Sequence, residues 1–308
     1  RRGWRGELRG AARRFGKPDT GPIQVRGEVL AVRRSGDYYV LVFAAPGVAE
    51  ATAPGNFVAI AVGGQPTAML LRRCFSIHRV DTAGALGGTV EIVVDAHGPG
   101  TKWLVERAVG DPIDVIAPLG RPFSLPKDPV PCVLVGGGYG SAPLFMLADR
   151  LRERGCRVDL VLGAATESRL FGVVDGRRRA SSLTITTDDG SLGTKGRVTD
   201  VLDRLLDDHG GQVIYGCGPM GMLAGLAKVA QERGIVSQCA VEEAMACGVG
   251  VCMTCVLPVI GSDGVTRMTR SCTDGPVFFG DQVRWDSVGT VPSDCLGAPV
   301  SATGGAQR

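Results

Sequence analysis

The first part of the chain alternates short apolar runs with glycine-containing turns. Residues 38–43, 57–62 and 90–94 form runs of five or six residues rich in β-branched and aromatic side chains. Short runs at this spacing are typical of a small antiparallel barrel. Between residues 23 and 116, only 101–108 has the pattern of a helix.

After residue 131 the pattern changes to alternating strand-like and helix-like segments. Strands are predicted at 132–135, 158–162, 183–187 and 212–215, and helices at 143–154, 198–206 and 220–233. Alternation of this kind predicts a doubly wound parallel sheet covered by helices.

From Cys239 the chain becomes rich in Cys and Gly and has too few apolar residues for a large core of its own. Such a segment needs a staple, which cysteines can supply. We therefore expect a multi-domain α/β plus β protein with a small Cys-rich C-terminal domain. The expected parts are a basic disordered tail at 1–20, a barrel at 21–127, an α/β domain at 128–238, the Cys-rich domain at 239–286 and a disordered tail at 287–308.

The charge distribution argues against a nucleic-acid-binding body. Residues 1–17 hold seven Arg or Lys and one Glu, which leaves 27 basic and 30 acidic residues in 18–308. The basic excess thus belongs to the tail, where a solvated disordered segment is the simpler interpretation. The longest uncharged stretch, 129–148, contains three Pro and four Gly and does not resemble a membrane helix. No apolar signal segment follows the Arg run, and ten cysteines without one suit metal or redox chemistry, so we expect a cytoplasmic protein.

Four of the ten cysteines have the spacing C-x4-C-x2-C followed by a distant fourth. Plant-type [2Fe-2S] sites use this spacing, because a tight loop aims three thiolates at one small cluster and a distant thiolate closes it. Gly248 and Gly250 permit the tight loop. A structural zinc site is the alternative, although such sites more often use two paired C-x2-C knuckles. The predicted ligands are Cys247, Cys252, Cys255 and Cys272.

A second group of residues suits a flavin. Arg73-Cys74-Phe75-Ser76 offers a cation for a phosphate, an apolar flank for a ring system and a hydroxyl for a ring nitrogen. An ordinary strand with an exposed Arg is the competing interpretation. The flavin interpretation is favoured by the turn from His97 to Thr101, which opens a short helix where a pyrophosphate can meet backbone N–H groups.

Two glycine-rich turns follow predicted strands in the α/β part. The first contains Gly136, Gly137, Gly138 and Gly140, and the second is Gly216-Cys217-Gly218-Pro219. Turns between a strand and a helix bring backbone N–H groups to a dinucleotide phosphate, although the strict G-x-G-x-x-G fingerprint is absent. Strand ends border the ligand crevice, so Cys217 is a candidate catalytic residue beside a nicotinamide. A buried structural thiol is the alternative.

Over residues 21–286 the chain resembles the electron transfer subunits of two-subunit, NAD-dependent dihydroorotate dehydrogenases, a branch of the ferredoxin reductase superfamily. Residues 73–77 resemble the family's R-P-x-S-I flavin motif, with Cys74 in place of Pro. Other similar stretches are G-x-G-T at 98–101, G-G-G-x-G at 136–140, a segment beside the nucleotide site at 187–200, and the segments 242–250 and 274–278 that frame the cluster ligands.

The resemblance implies one FAD, one [2Fe-2S] cluster and NAD as a diffusible substrate. It places FAD on Arg73, Cys74, Phe75, Ser76 (on the flavin N5 side), Val93, Val94, Asp95, Gly100 and Thr101. It implies an FMN-containing catalytic partner, in a heterotetramer of two plus two, that oxidises dihydroorotate to orotate in pyrimidine (UMP) biosynthesis. A flavin accepts two electrons together and passes them on singly, so the chain is predicted to relay electrons between its partner and NAD. By itself it is expected to be inactive on dihydroorotate.

Two alternatives remain open at this stage. One is another reductase of the superfamily, such as a ferredoxin-NAD(P) reductase or the diaphorase subunit of a hydrogenase. Arg169 and the run at 177–179 would then attract the extra phosphate of NADP, while a solvated surface loop is the simpler interpretation of the run. The other is a non-catalytic scaffold stapled by zinc.

Overall fold

The computed structural model describes residues 21–64, 68–83 and 87–298. The predicted basic tail at 1–20 lies outside the described residues. Across the described residues, no helix has the length and apolar character needed to cross a membrane.

The first part of the chain is the predicted antiparallel barrel. Its strands are β1 (Ile23–Ser35), β2 (Tyr38–Ala44), β3 (Phe57–Ile60), β4 (Arg73–Asp81), β5 (Thr89–Val94) and β6 (Pro112–Leu119). They close in the order β1-β2-β5-β4-β3-β6. Apolar side chains fill the interior, with Leu41, Phe43, Ile60, Ile77 and Ile92 fully buried. This confirms the barrel, which the short apolar runs predicted.

The helix predicted at 101–108 begins and ends earlier, as α1 (Pro99–Val105). Pro99 occupies the first turn, where its missing N–H costs nothing. The Gly98 N–H donates to Thr101 Oγ1 at 3.0 Å, which satisfies a backbone donor at the helix start. The predicted boundary was wrong because the apolar pattern does not show this cap.

The second part is a seven-stranded sheet. Its strands are β7 (Cys132–Gly137), β8 (Val158–Ala164), β9 (Ser182–Thr187), β10 (Thr194–Lys195), β11 (Val213–Cys217), β12 (Val236–Ala240) and β15 (Val277–Phe279). Their order in the sheet is β10-β9-β8-β7-β11-β12-β15. All neighbours are parallel except β12 and β15. The doubly wound sheet is therefore confirmed, with one antiparallel edge strand added.

Helices cover both faces of this sheet. They are α2 (Leu144–Glu153), α3 (Val173–Arg179), α4 (Val198–His209) and α5 (Met220–Glu232). Leu134 of β7 packs with α2, whereas its neighbours Val133 and Val135 pack with α4 and α5. A strand buried on both faces explains the continuous apolar run from which it was predicted.

The Cys-rich segment contains the two-stranded sheet β13 (Val256–Ile260) with β14 (Thr266–Arg270), and it also supplies β15. β15 pairs with β12 through Gln238↔Phe279, Cys239↔Phe278 and Ala240↔Val277. The predicted boundary between residues 238 and 239 therefore falls inside β12. We propose that the α/β domain extends through Ala240, because a strand belongs to the sheet that holds it.

Part of the predicted C-terminal tail is packed against the Cys-rich segment. The Leu296 N–H donates to Thr266 O at 2.9 Å, and Arg284 pairs with Asp294 at 2.5 Å. Cys295 is buried. The prediction of disorder from residue 287 is therefore not matched at 287–298, because low apolar content does not exclude backbone and ionic contacts. Residues 299–308 lie outside the described residues.

Candidate functional site

A cavity of about 580 Å³ lies where the barrel, the doubly wound sheet and the Cys-rich segment meet. Eight of the nine predicted FAD residues line it: Arg73, Cys74, Phe75, Ser76, Val93, Asp95, Gly100 and Thr101. Val94 does not, because it is fully buried inside the barrel. On a strand, alternate side chains point to opposite faces, and Val94 points into the barrel core whereas Val93 packs outside it.

On the barrel side of the cavity, the Arg73 guanidinium lies beside the start of α1. A Cβ atom built on Gly100 would lie 3.0 Å from Arg73 Nε, so this guanidinium packs directly on the helix backbone. Arg73 Nη1 also donates to Leu71 O at 2.7 Å, which holds the side chain in place. A cation and helix-start N–H groups side by side suit a phosphate.

The two glycine-rich turns meet at the carboxyl edge of the sheet. β7 and β11 are neighbours, with Cys217 opposite Gly136, and the chain leaves them in opposite directions along the sheet. This is the topological switch point at which open α/β sheets bind ligands. The turns also touch each other, since a Cβ on Gly140 would lie 2.7 Å from Gly218 Cα. Packing of the two turns against each other thus requires glycine at some of these positions, whether or not a ligand also does.

Of the residues predicted for NAD, Gly140 lines the cavity, and the others lie beside it in the two turns or at the strand ends that carry them. Cys217 does not line the cavity. It is buried, and burial, together with the Glu242 carboxyl, raises the pKa of its thiol well above the ordinary value. Burial is what a structural thiol requires, and contact of Cys217 with a nicotinamide stays a prediction.

Glu242 itself faces the cavity from the segment that leads to the cysteines. Its carboxyl is exposed to the cavity, but surrounding protein partly desolvates it and raises its pKa. Glu243 lies beside it, and its pKa is raised by the same cause.

Arg169 joins the α/β domain to the barrel. Its Nη2 donates to Asp95 Oδ2 at 2.9 Å, and its guanidinium lies 5.0 Å from the centre of the Tyr38 ring. Tyr38 Oη donates back to Arg169 O at 3.0 Å. The expected role of Arg169 as a phosphate attractor is therefore not supported, because its charge already pairs with a cavity carboxylate.

The Arg run at 177–179 forms the last turn of α3 and is not a loop. Arg179 pairs with Asp149 at 3.0 Å and with Asp175 at 2.5 Å. Arg177 and Arg178 are exposed. The loop interpretation was wrong because this short helix has no periodic apolar pattern from which it could be predicted. The basic residues of its last turn are stabilised by the helix dipole.

The loop that holds the first predicted cluster ligands surrounds the Cys247 sulfur with backbone donors. The N–H groups of Val249, Val251 and Cys252 lie 3.5, 3.4 and 3.5 Å from Cys247 Sγ. Gly248 and Gly250 have φ values of 72° and 86°, which a residue with a Cβ adopts only under strain. Donors aimed at sulfur are the arrangement that stabilises a bound iron-sulfur cluster.

The four predicted ligands form two neighbouring pairs. The Cys252 N–H lies 3.5 Å from Cys247 Sγ. Cys255 and Cys272 pack in one cluster, where the Ser271 N–H donates to Cys255 O at 2.9 Å. Cys255 and Cys272 are buried, and burial with the adjacent Cys255 raises the pKa of Cys272 to about 12. Within the described parts of the chain, no three ligand-type side chains converge as a closed site for a single metal ion. Two pairs of thiols suit a cluster of two irons, each held by two cysteines.

Cys74 lies between the cavity and these cysteines. It packs with Cys255 and Cys272 in one apolar cluster, and a Cβ on Gly248 would lie 3.1 Å from its Sγ. Burial, followed by the nearby Cys247 and Cys255, raises the pKa of the Cys74 thiol to about 12. Cys74, which replaces the Pro of the family's flavin motif, thus lies where the two predicted cofactor sites meet.

Sequence reasoning missed several residues as cavity walls. They are Phe57, Tyr139, Ala142, Val241, Glu242, Glu243, Ala244, Met245 and Pro276, whereas His97, Gly98 and Pro99 belong to the turn predicted to meet a pyrophosphate. Tyr139 lies inside a predicted glycine turn, and residues 242–245 precede the first cluster cysteine. Their closeness in sequence to these motifs could have identified them as cavity walls. Phe57 and Pro276 come from distant parts of the chain, and local pattern cannot place them.

Comparison with known proteins agrees with this arrangement. Residues 242–284 match the model of the iron-sulfur cluster binding domain of dihydroorotate dehydrogenase B. The chain is 39% identical over 247 residues to the electron transfer subunit of dihydroorotate dehydrogenase B (NAD(+)) from Geobacillus thermodenitrificans, covering 80% of this chain and 92% of that protein. The subunit of the same name from Desulforamulus reducens is 34% identical over 250 residues, covering 80% and 93%.

Solved structures give the same picture of the fold. A chain from the NADH-dependent reduced ferredoxin-NADP oxidoreductase, studied for flavin-based electron bifurcation, is 31% identical with a TM-score of 0.74, covering 85% of this chain and 91% of that chain. A ferredoxin NADP+ reductase from Neisseria gonorrhoeae with bound FAD and NADP shares the fold at 15% identity and a TM-score of 0.53, covering 72% and 93%.

Proposed function

Because the chain belongs to the family of electron transfer subunits of dihydroorotate dehydrogenase B (NAD(+)), we propose that it relays electrons from a catalytic subunit to NAD through one [2Fe-2S] cluster and one FAD. The FMN-containing partner oxidises dihydroorotate to orotate for pyrimidine synthesis. The observation that carries the proposal is the cavity whose walls come from the barrel, the switch-point turn and the segment preceding the cysteines.

The cavity fits a flavin in size and chemistry. Its volume of about 580 Å³ lies within the ~300–1,000 Å³ usual for cofactor sites. Phe75, Val93 and Tyr139 offer apolar walls for a ring system. Arg73, beside the start of α1, would hold a pyrophosphate, and the exposed Ser76 hydroxyl would hydrogen-bond the ring near N5. When bound, a flavin exchanges hydride with nicotinamide and single electrons with a cluster.

The paired cysteines fit a [2Fe-2S] cluster. Cys247 and Cys252 would hold one iron, and Cys255 and Cys272, which pack in one cluster, the other. The loop between them is exposed and apolar at Val249, Val251 and Met253, which are 41%, 79% and 52% exposed. Exposed apolar side chains around a redox centre suit docking of a protein partner. We place the catalytic subunit there, in a complex of two plus two chains.

The carboxyl ends of β8 and β9 favour NAD over NADP. Glu167 follows β8, and Asp188 and Asp189 follow β9; all three are exposed. The two loops are joined by the Glu167 N–H, which donates to Ser191 Oγ at 2.8 Å. Acidic residues at such strand ends bind ribose hydroxyls and repel an added phosphate. All ten cysteines are free thiols, which supports a reducing cytoplasmic location.

The test is to express the full chain alone and together with an FMN-containing dihydroorotate dehydrogenase chain. The chain alone is expected to contain flavin, iron and sulfide, to oxidise NADH with an artificial acceptor, and to be inactive on dihydroorotate. The pair is expected to couple dihydroorotate oxidation to NAD reduction. A colourless protein containing zinc, or turnover of dihydroorotate by the chain alone, would contradict the proposal.

One second function is favoured by a specific observation, the 31% identity to a chain of the ferredoxin-NADP oxidoreductase structure. A reductase of that kind would pass electrons to a ferredoxin-type protein. Co-purification decides between the two, since capture of a ferredoxin in place of a dihydroorotate dehydrogenase chain would assign the second function.

A further inference from the structure

Three residues belong both to the wall of the cavity and to the apolar cluster beneath the predicted iron-sulfur loop: Phe57, Cys74 and Met245. Cys74 differs from the other two because it carries an S–H group, a weak hydrogen-bond donor. Cys74 also lies within the strand segment that would hold the flavin, between Arg73 and Phe75. One polar side chain therefore reaches from the flavin wall to the sulfur-rich side.

The backbone fixes the direction of this side chain. Cys74 of β4 pairs with Ala59 of β3, and both side chains pack in the cluster that contains Cys255 and Cys272. The loop approaches from the other side, where Gly248 has a φ of 72°. A Cβ there would lie 3.1 Å from Cys74 Sγ and 3.5 Å from Ala59 Cβ. No bulkier residue fits between Cys74 and the loop, so the thiol contacts the backbone adjacent to Cys247.

We propose that Cys74 is a positioning residue that donates a hydrogen bond from its thiol to the sulfur-rich side of the cluster site and so raises the reduction potential of the cluster. The inference rests on the proposed function. Hydrogen bonds to cluster sulfurs stabilise the reduced, more negative state, and their number is one of the factors that set the potential. Cys74 thus adds to the three backbone N–H groups that already face Cys247 Sγ.

The experiment compares wild type with Cys74→Ala and Cys74→Ser as cofactor-loaded full chains. Cluster potentials are measured by redox titration monitored by electron paramagnetic resonance, and the flavin potential by absorbance. We expect Cys74→Ala to lower the reduction potential of the cluster. The equilibrium constant for transfer of one electron from the flavin to the cluster then falls about three- to tenfold, where tenfold corresponds to about 59 mV. Cys74→Ser, which keeps a donor, is expected to restore most of the shift and to keep the iron content of wild type.

Several results would overturn the inference. Equal cluster potentials in all three proteins would show that the thiol donates nothing to the cluster. Equal shifts in both variants would assign the effect to packing, and a shift of the flavin potential alone would place the thiol on the flavin. Loss of iron in Cys74→Ala would make the residue structural. If wild type holds no iron or flavin, the proposed function fails first.

Discussion

Replacing Gly140 with Ala tests whether the two glycine turns need their close contact. The new Cβ would lie 2.7 Å from Gly218 Cα, 3.0 Å from Gly218 N and 3.2 Å from Cys217 O. All three are backbone atoms, so no side chain can rotate away and the turns must separate. Overpacking of this kind costs about 1–3 kcal/mol. In a chain of 308 residues, with an unfolding entropy of roughly 2.1 cal/mol/K per residue, it lowers Tm by roughly 2–5 °C.

The same movement is expected to weaken NADH binding, because the turns form the switch point at which we predict that the nucleotide binds. We expect the apparent Kd for NADH to rise by about tenfold, the equivalent of 1.4 kcal/mol. Tm is measured by calorimetry and Kd by fluorescence titration of the cofactor-loaded chain.

Gly221→Ala is the matched control for this prediction. Gly221 lies in α5, and a Cβ there meets nothing within 4 Å. Because Ala favours a helix over Gly, the control is expected to gain up to about 1 kcal/mol. If Gly140→Ala keeps the Tm and NADH affinity of wild type, the argument that the turns require close backbone contact is refuted.

Three further predictions concern the ligands, the domain contact and a cavity carboxyl. Cys272→Ser is expected to lose iron and sulfide by chemical assay, whereas Cys295→Ser, at a buried cysteine outside the predicted set, keeps both. Arg169→Ala removes a partly exposed ion pair to Asp95 and a ring contact, together about 1–2 kcal/mol, and is expected to increase FAD loss on gel filtration. An unchanged flavin content would contradict that role. The pKa of Glu242 is raised in the folded chain, so the native state holds this proton more tightly and loses stability as pH rises above the ordinary carboxyl pKa of about 4.3. Glu242→Gln is therefore expected to raise Tm at pH 7 and to lose that gain at pH 4, and equal Tm changes at both values would contradict it.

Local patterns predicted the strands and helices well where burial is simple. The run at β7 reads as continuous because helices cover both faces of the sheet, and the barrel strands are separated by turns that glycine marks. The short helices α1 and α3 were misplaced or missed, since each is held by one cap or by ion pairs such as Arg179 with Asp149. Contacts of that kind leave no periodic trace in the sequence.

The site was predictable to the extent that its chemistry follows spacing. The cluster cysteines have a distinctive spacing, and the flavin residues lie mainly in one strand and one turn. Cys217 shows the limit of this reasoning. Its position at a strand end predicts contact with a nicotinamide, but its side chain is buried and does not line the cavity, so this role stays a prediction.

Backbone pairing joins the Cys-rich segment to both the barrel and the α/β sheet, and this affects electron transfer between the cluster and flavin sites. β15 extends the sheet through its pairing with β12, and Arg121 after the barrel bridges to Pro276. On the other side of the Cys-rich segment, the loop at Gly248 packs against Cys74 of β4, the strand predicted to hold the flavin. Groups held on strands keep their separation more closely than groups held on loops. The loop that carries Cys247, Cys252 and Cys255 is tied to paired strands through β15 and to Cys74 of β4 through Gly248. We therefore expect that loosening β15 would let the cluster and flavin sites move apart and would slow electron transfer, although β15 carries none of the proposed cluster ligands.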